Sequence, residues 1–182
     1  EQAPRSMIFC NTRKGCQELG TALKAQKLRV DYIHGELSQS DRKQVMNRFR
    51  SGQIGILVAT DVAARGLDIE GITLVINFNV AQSGDDHVHR IGRTGRAGQI
   101  GKAITLVSSN EWNQMSSIER YLKLRFEHRK VPGLQASYRG PVKVKKSGKA
   151  AGSKKTKARR SQKKTAQPKK RGGEIGYKPL KR

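Results

Sequence analysis

Short apolar runs alternate with segments of helical period along the first two thirds of the chain, and this alternation limits the fold more than any other feature of the sequence. SMIFC (6–10) reads as a strand, the helix after it carries Cys16, Leu19 and Leu23 on one face, and RVDYI (29–33) is a strand again. A second helix opens at Ser38 as N-cap, with Asp41 three positions on. It turns Val45, Met46 and Phe49 inward and stops near Gly52. IGILVAT (54–60), TLVINF (73–78) and KAITLVS (102–108) are three more strands, and residues 110–125 a last helix. Strand–helix–strand repetition implies a parallel sheet with helices on both faces, an α/β layered domain. Past Pro132 the pattern fails, so the expected division is a folded domain over 1–132 and a Lys/Arg-rich disordered tail over 133–182.

Charge follows the same division. Residues 139–182 hold 18 of the 38 Lys and Arg and one of the 14 acids, Glu174, so that stretch carries about +17 of the formal +24. A chain this basic seeks polyanions, and nucleic acid binds such a surface through counterion release. An anionic membrane is the competing partner, but the tail has no apolar face to insert. Cys10 and Cys16 are the only cysteines, which gives neither a disulfide framework nor a zinc set, and both read as reduced, buried or half-buried residues of an intracellular protein. The longest apolar run, ILVA (56–59), is far short of a membrane span, and EQAPRS is no signal peptide. The chain starts without Met and enters a strand-like run at once, so it reads as a piece of something longer.

Ligands of open parallel sheets sit off the carboxyl ends of the strands. Four of the strands end in compact polar groups there: Asn11-Thr12-Arg13, His34-Gly35-Glu36, Thr60-Asp61, and the stretch from Asn77 to Asn79. In HGELSQSDR (34–42), Gly35 lets a backbone N–H approach an anion, the helix after Ser38 adds its positive end, and Gln39 and Arg42 fall on its first turn. Taken alone, an ordinary capped helix with an exposed arginine accounts for that stretch equally. In ATDVAARGLD (59–68), Arg65, Gly66 and Asp68 supply a cation, a flexible backbone point and a carboxylate suited to sugar hydroxyls. A turn closed by an Arg65–Asp68 pair is the plainer alternative.

HRIGRTGR (89–96) sets Arg90, Arg93 and Arg96 three apart, so on a helical turn they point roughly one way and repel one another unless an anion answers them. Two glycines in eight residues weaken a helix by about 1 kcal/mol each, which suggests that something approaches the backbone closely. Guanidinium groups are suited to charge on a transferring phosphoryl group. A solvated basic face is the alternative, but such faces favour lysine and rarely carry paired glycines.

Three blocks, HGxxxQxxR at 34–42, ATDxxxRGxD at 59–68 and HRIGRTGR at 89–96, occur in order, and with them the chain resembles the second, C-terminal RecA-like domain of DEAD-box ATP-dependent RNA helicases of superfamily 2. The likeness runs from about residue 5 to about 125. It implies a RecA-like fold in which Arg93 and Arg96 reach the γ-phosphate of ATP held by the first domain, as arginine fingers. It places Gly66 and Asp68 at the nucleotide, Asp68 at the ribose, and Thr12, Gly35, Gln39, Arg42 and Thr60 along the RNA sugar-phosphate backbone. Arg65, His89 and Arg90 are expected to couple the two ligands across the domain interface, with Phe9 packed behind the arginine segment. Two departures stand out. His87 occupies a position that is commonly aromatic, and Asn79-Val80-Ala81 replaces the usual Asp-x-Pro.

The sequence contains no G-x-x-x-x-G-K-[ST] and no D-E-A-D, so this chain alone is not expected to hydrolyse ATP, and the Mg²⁺ is expected on the first RecA-like domain. Asp85-Asp86 follow a polar stretch and read as loop acids, and no metal site is expected. The partners implied are RNA, structured or ribosomal, and the first RecA-like domain of the same protein, with a monomeric state, no membrane and a cytoplasmic location. The tail fits a nonspecific RNA tether, and 172–180 a short docking motif. Two rivals remain open here: a non-catalytic basic RNA-binding protein, and a DNA-directed helicase of the same superfamily.

Overall fold

A computed structural model describes residues 4–67, 69–96, 98, 100–129, 131, 133 and 140–151. In chain order the elements are β1 (Ser6–Cys10), α1 (Arg13–Ala25), β2 (Val30–Ile33), α2 (Gln39–Arg50), β3 (Ile56–Thr60), α3 (Asp61–Ala64), β4 (Leu74–Asn77), α4 (Gly84–Ile91), β5 (Lys102–Thr105) and α5 (Trp112–Leu122). All five strands lie parallel in the order β2-β3-β1-β4-β5, the sheet anticipated from the sequence.

β1 is central and all five of its residues are buried, as expected for a strand covered on both faces. Its alternate side chains go to different layers. Met7 and Phe9 join Val45, Met46 and Phe49 of α2, whereas Ile8 and Cys10 join Cys16, with Leu19 and Leu23 of α1 packed alongside. Burial pushes the thiols of Cys10 and Cys16 up to about 11 and about 12, so both stay protonated and unreactive. Asp31 of β2 is buried but answered on both sides, by Lys24 of α1 and Arg48 of α2 at 2.6 Å each, and this ties both helices to the edge strand.

The connections set the site. After β1 the chain moves outward to β2 on one side, and after β4 it moves outward to β5 on the other. The carboxyl ends of β1 and β4 therefore flank the switch point where such sheets bind ligands.

One expectation is corrected by the packing. Asp85 and Asp86 are not loop acids. They form the first turn of α4, where Ser83 Oγ accepts from the Asp86 N–H (3.0 Å) and donates to its carboxylate (2.7 Å). A short helix, α3, follows β3 directly and leads into a turn at Arg65 and Gly66. By its contacts the chain divides into one unit that ends at Ala150 and another over Ala151–Arg182. Residues 140–150 run along α5, and Ala150 N–H donates to Asn113 Oδ1 at 2.8 Å. The sequence hid this because the segment buries little side chain and attaches through its backbone. The expectations for 152–182 lie outside the described residues. Among the described residues no helix is long and apolar enough to cross a membrane.

Candidate functional site

Arg90 organises the switch point. It is 1% exposed, and its guanidinium lies 5.3 Å from the Phe9 ring centre. Nε and Nη2 donate to the two Asp61 carboxylate oxygens at 2.6 Å each, and Nη2 also donates to Asn11 Oδ1 at 2.7 Å. Nη1 donates to the Asn79 carbonyl at 2.8 Å and to Asn77 Oδ1 at 3.5 Å. One buried side chain therefore uses all five donors to hold the ends of β1, β3 and β4 together.

This geometry corrects the picture of three arginines facing one way. α4 ends at Ile91 with Gly92 as its cap, so Arg90 points inward while Arg93 and Arg96 leave on the following turn. Arg93 Nη1 donates to the Leu67 carbonyl (3.0 Å), which brings it beside Gly66, and Arg96 Nε donates to the Gly92 carbonyl (2.8 Å). Partial burial, and then the nearby Arg96 charge, lower the Arg93 pKa. The mutual repulsion of these two cations is the kind that an anion would relieve.

The glycines of the segment serve its packing. Gly95 has φ +67, and a Cβ on Gly101, ahead of β5, would stand 2.4 Å from the Gly95 nitrogen and 2.3 Å from Thr94 Oγ1. Thr94 Oγ1 donates to the Ile72 carbonyl at 2.6 Å. The chain here lies backbone against backbone, which fixes the turn that carries Arg93 and Arg96.

Arg65 and His89 are exposed and line one small cleft with Asp61, Asp86 and Arg93, of about 10 Å³, room for about one water. Arg65 pairs with Asp86 at 3.4 Å. Asp68 lies outside the described residues. Gly66 has φ +71 and open space where a Cβ would project.

The expected RNA positions fall on three adjacent strands. Thr12 follows β1, Thr60 ends β3 and Gly35 follows β2, so they line one edge of the sheet at spacings of about 4.8 Å per strand. Thr12 caps α1, its Oγ1 accepting from Gly15 N–H at 3.0 Å, which leaves its own hydroxyl proton free to donate. Thr60 makes no side-chain capping bond to α3. Gln39 is exposed as the first residue of α2, whereas Arg42 reaches across to the Ala63 carbonyl at 2.7 Å. Gly35 has nothing within 4 Å of a notional Cβ, so nothing in the folded chain demands glycine there.

The Arg90 partners escaped the sequence reading. Asn11, Asp61, Asn77 and Asn79 were visible as polar strand ends, but nothing in their spacing revealed a common ligand. His87, the aromatic position, is buried and packs against Phe126 with ring centres 5.2 Å apart. Asn79 also fits: its Oδ1 accepts from Asn11 N–H (3.2 Å), and Asn11 Nδ2 donates to the Val80 carbonyl (3.0 Å).

The family profile described as helicase conserved C-terminal domain matches residues 1–98, more than half of the chain. The chain belongs to that family. Its relatives are DEAD-box RNA helicases. The DEAD-box ATP-dependent RNA helicase CshA of Geobacillus kaustophilus is 46% identical over 144 residues, 79% of this chain and 31% of that protein. Among solved structures, the E. coli DEAD-box protein SrmB bound to regulator of ribonuclease activity A matches with TM-score 0.74 at 38% identity, covering 78% of this chain and 83% of that one. S. cerevisiae Dbp5 L327V bound to RNA and ADP BeF3 matches with TM-score 0.60 at 36% identity, over 64% of this chain and 32% of that one. The chain spans about a third of the length of the curated relatives. Its sheet is thus the RecA-like fold of a C-terminal helicase domain.

Proposed function

We propose that this domain is the ATP-responsive, RNA-gripping half of an ATP-dependent RNA helicase, acting as a monomer with the first RecA-like domain of the same protein in the cytoplasm. Arg93 and Arg96 serve as arginine fingers on the γ-phosphate, with Gly66 and Asp68 at the nucleotide and Asp68 at the ribose. Thr12, Gly35, Gln39, Arg42 and Thr60 hold the RNA backbone. Arg65 and His89 relay between the ligands, while Arg90 positions the loops from inside.

The observation that carries this reading is the turn after α4, which holds Arg93 against the Leu67 carbonyl next to Gly66 and keeps the Arg96 charge near Arg93. The structure of Dbp5 L327V with RNA and ADP BeF3 supports it by analogy. Among the described residues no group of three or more His, Cys, Asp or Glu could hold a metal ion, and the Mg²⁺ is assigned in this reading to the first RecA-like domain. When ATP is held by the first domain, the fingers neutralise charge developing on the phosphoryl oxygens, and closure strengthens the grip on RNA.

The test is RNA-stimulated ATP turnover by this domain joined to its first RecA-like domain. Arg93→Ala is expected to lower turnover by about 10³-fold or more with RNA affinity kept. Unchanged turnover would remove the phosphate role and leave a basic RNA-binding scaffold.

A further inference from the structure

A second cationic site lies at the far end of α5, made by the segment that the sequence reading assigned to the tail. Residues 145–149, KKSGK, form a tight turn. Gly148 N–H donates to the Lys145 carbonyl and Lys145 N–H to the Lys149 carbonyl, both at 2.8 Å, and Val144 and Ala150 pair across its base. The turn is seated on α5 through its backbone: the Gly148 carbonyl accepts from Trp112 Nε1 (3.3 Å) and from Ser116 Oγ (3.0 Å). Arg120 donates to the Ser147 carbonyl, and the Gly148 Cα face lies against the Arg125 guanidinium, 3.7 Å from a notional Cβ. Gly148 has φ +78, a conformation that a side chain would strain.

Lys145, Lys146 and Lys149 are exposed on this turn. Beside it, Arg120, Lys123 and Arg125 line an open concavity of about 310 Å³ with Leu124 and Glu119. The Glu119 carboxylate is already engaged, accepting from Arg125 Nη1 at 2.9 Å and from Phe126 N–H at 3.0 Å. Six cations thus share one surface with one neutralised acid.

We infer that this turn and the end of α5 form a pre-folded docking surface for the phosphate backbone of single-stranded RNA, separate from the rim at the strand ends. The inference rests on the reading that the chain handles RNA. Protein interfaces deplete charge at their centre, yet Leu124 is the sole apolar residue lining this concavity, so a polyanion suits it better than a folded partner. A free lysine tail must lose conformational freedom when it binds; this turn has already lost it on folding.

Trp112 is the only tryptophan in the chain and its indole N–H meets the turn, so its emission reports on this surface. The full 182-residue chain would be titrated with an oligouridylate of about ten nucleotides, reading Trp112 emission together with RNA anisotropy at several salt concentrations. A saturable change in emission is expected. Replacing the three lysines (Lys145→Gln, Lys146→Gln, Lys149→Gln) should abolish it and lower the slope of log affinity against log salt by about 2, at about 0.7 per phosphate contact. Gly148→Val keeps every charge but breaks the turn, and it should abolish the emission change as well. RNA binding by anisotropy with Trp112 emission unmoved overturns this inference and leaves the rim reading intact. Gly148→Val behaving as the parent chain overturns it too, because the lysines then act only as free charges. A polyglutamate peptide moving Trp112 where RNA does not would assign the surface to an acidic protein instead. If the chain binds no RNA at all, this inference and the broader reading fall together.

Discussion

Arg90 and His87 sit three residues apart on α4, and each shows what burial demands of a polar side chain. Arg90 is buried with every donor answered, so removing it strands the Asp61 carboxylate and frees three loop ends at once. Arg90→Ala should cost about 3–5 kcal/mol in a denaturant titration, and Arg90→Lys much of that, since an ammonium cannot span the same five bonds. His87 is the contrary case: its Nδ1 is buried without a hydrogen-bond partner among the described residues. Burial, and then the Arg90 charge, lower its pKa. The sign follows directly. The unfolded chain takes up a proton near the ordinary value of about 6.5 while the folded chain resists, so the stability present above that pH is lost as pH falls toward the lowered folded value. His87→Phe keeps the contact with Phe126, should raise stability by about 1 kcal/mol at neutral pH, and should flatten that acid slope in melts run between pH 7 and 5. A loss of stability on this substitution would mean that Nδ1 has a partner after all. The contrast also marks what could be read beforehand. The composition of HRIGRTGR suggested an anion site, but which of its arginines faces inward depends on where α4 ends, and a single residue of helix decides that.

At the scale of elements, α1 and α5 end in the same way. Leu28 N–H donates to the Leu23 carbonyl and Lys27 N–H to the Lys24 carbonyl; after α5, Leu124 N–H donates to the Glu119 carbonyl and Lys123 N–H to the Arg120 carbonyl. This is the Schellman closure, with lysine in the left-handed position that glycine usually fills, at φ 60 for Lys27 and φ 54 for Lys123. The sequence therefore lacked the glycine stop signal there, whereas the Ser38 cap, Asp41 and the Gly52 stop were all legible around α2. Lys27→Gly is the cleaner test, since Lys123 borders the second cationic surface. It relieves left-handed strain and should stabilise the fold by up to about 1 kcal/mol, seen as a raised denaturation midpoint. A decrease would show that the lysine charge at the negative end of α1 outweighs the backbone strain. The strand and helix pattern was legible because each apolar run was short and bounded. The backbone-to-backbone seat of Gly101 on Gly95 was not, because no side chain records it.

On the proposed reading, the whole molecule separates two ways of holding RNA. The rim at the carboxyl ends of β1, β3 and β2 offers hydroxyls and backbone groups in fixed places, and in the proposed cycle its grip depends on closure with the first domain. Residues 152–182 hold 13 Lys and Arg against one Glu, a charge reservoir that needs no defined geometry. Composition made that reservoir obvious, whereas the folded turn at its border was invisible because glycine and serine in a lysine run read as low complexity. The two modes should separate by salt. Truncation after residue 151 is expected to lower RNA affinity at low ionic strength and to reduce the slope of log affinity against log salt by several units, given about 0.7 per phosphate released from contact. In the two-domain protein, the same truncation should leave the maximal RNA-stimulated ATP turnover near its original value and mainly raise the RNA concentration needed to reach it. A fall in maximal turnover at saturating RNA would place the tail in the closed, ATP-hydrolysing state itself, and the tether reading would give way to a direct role in closure.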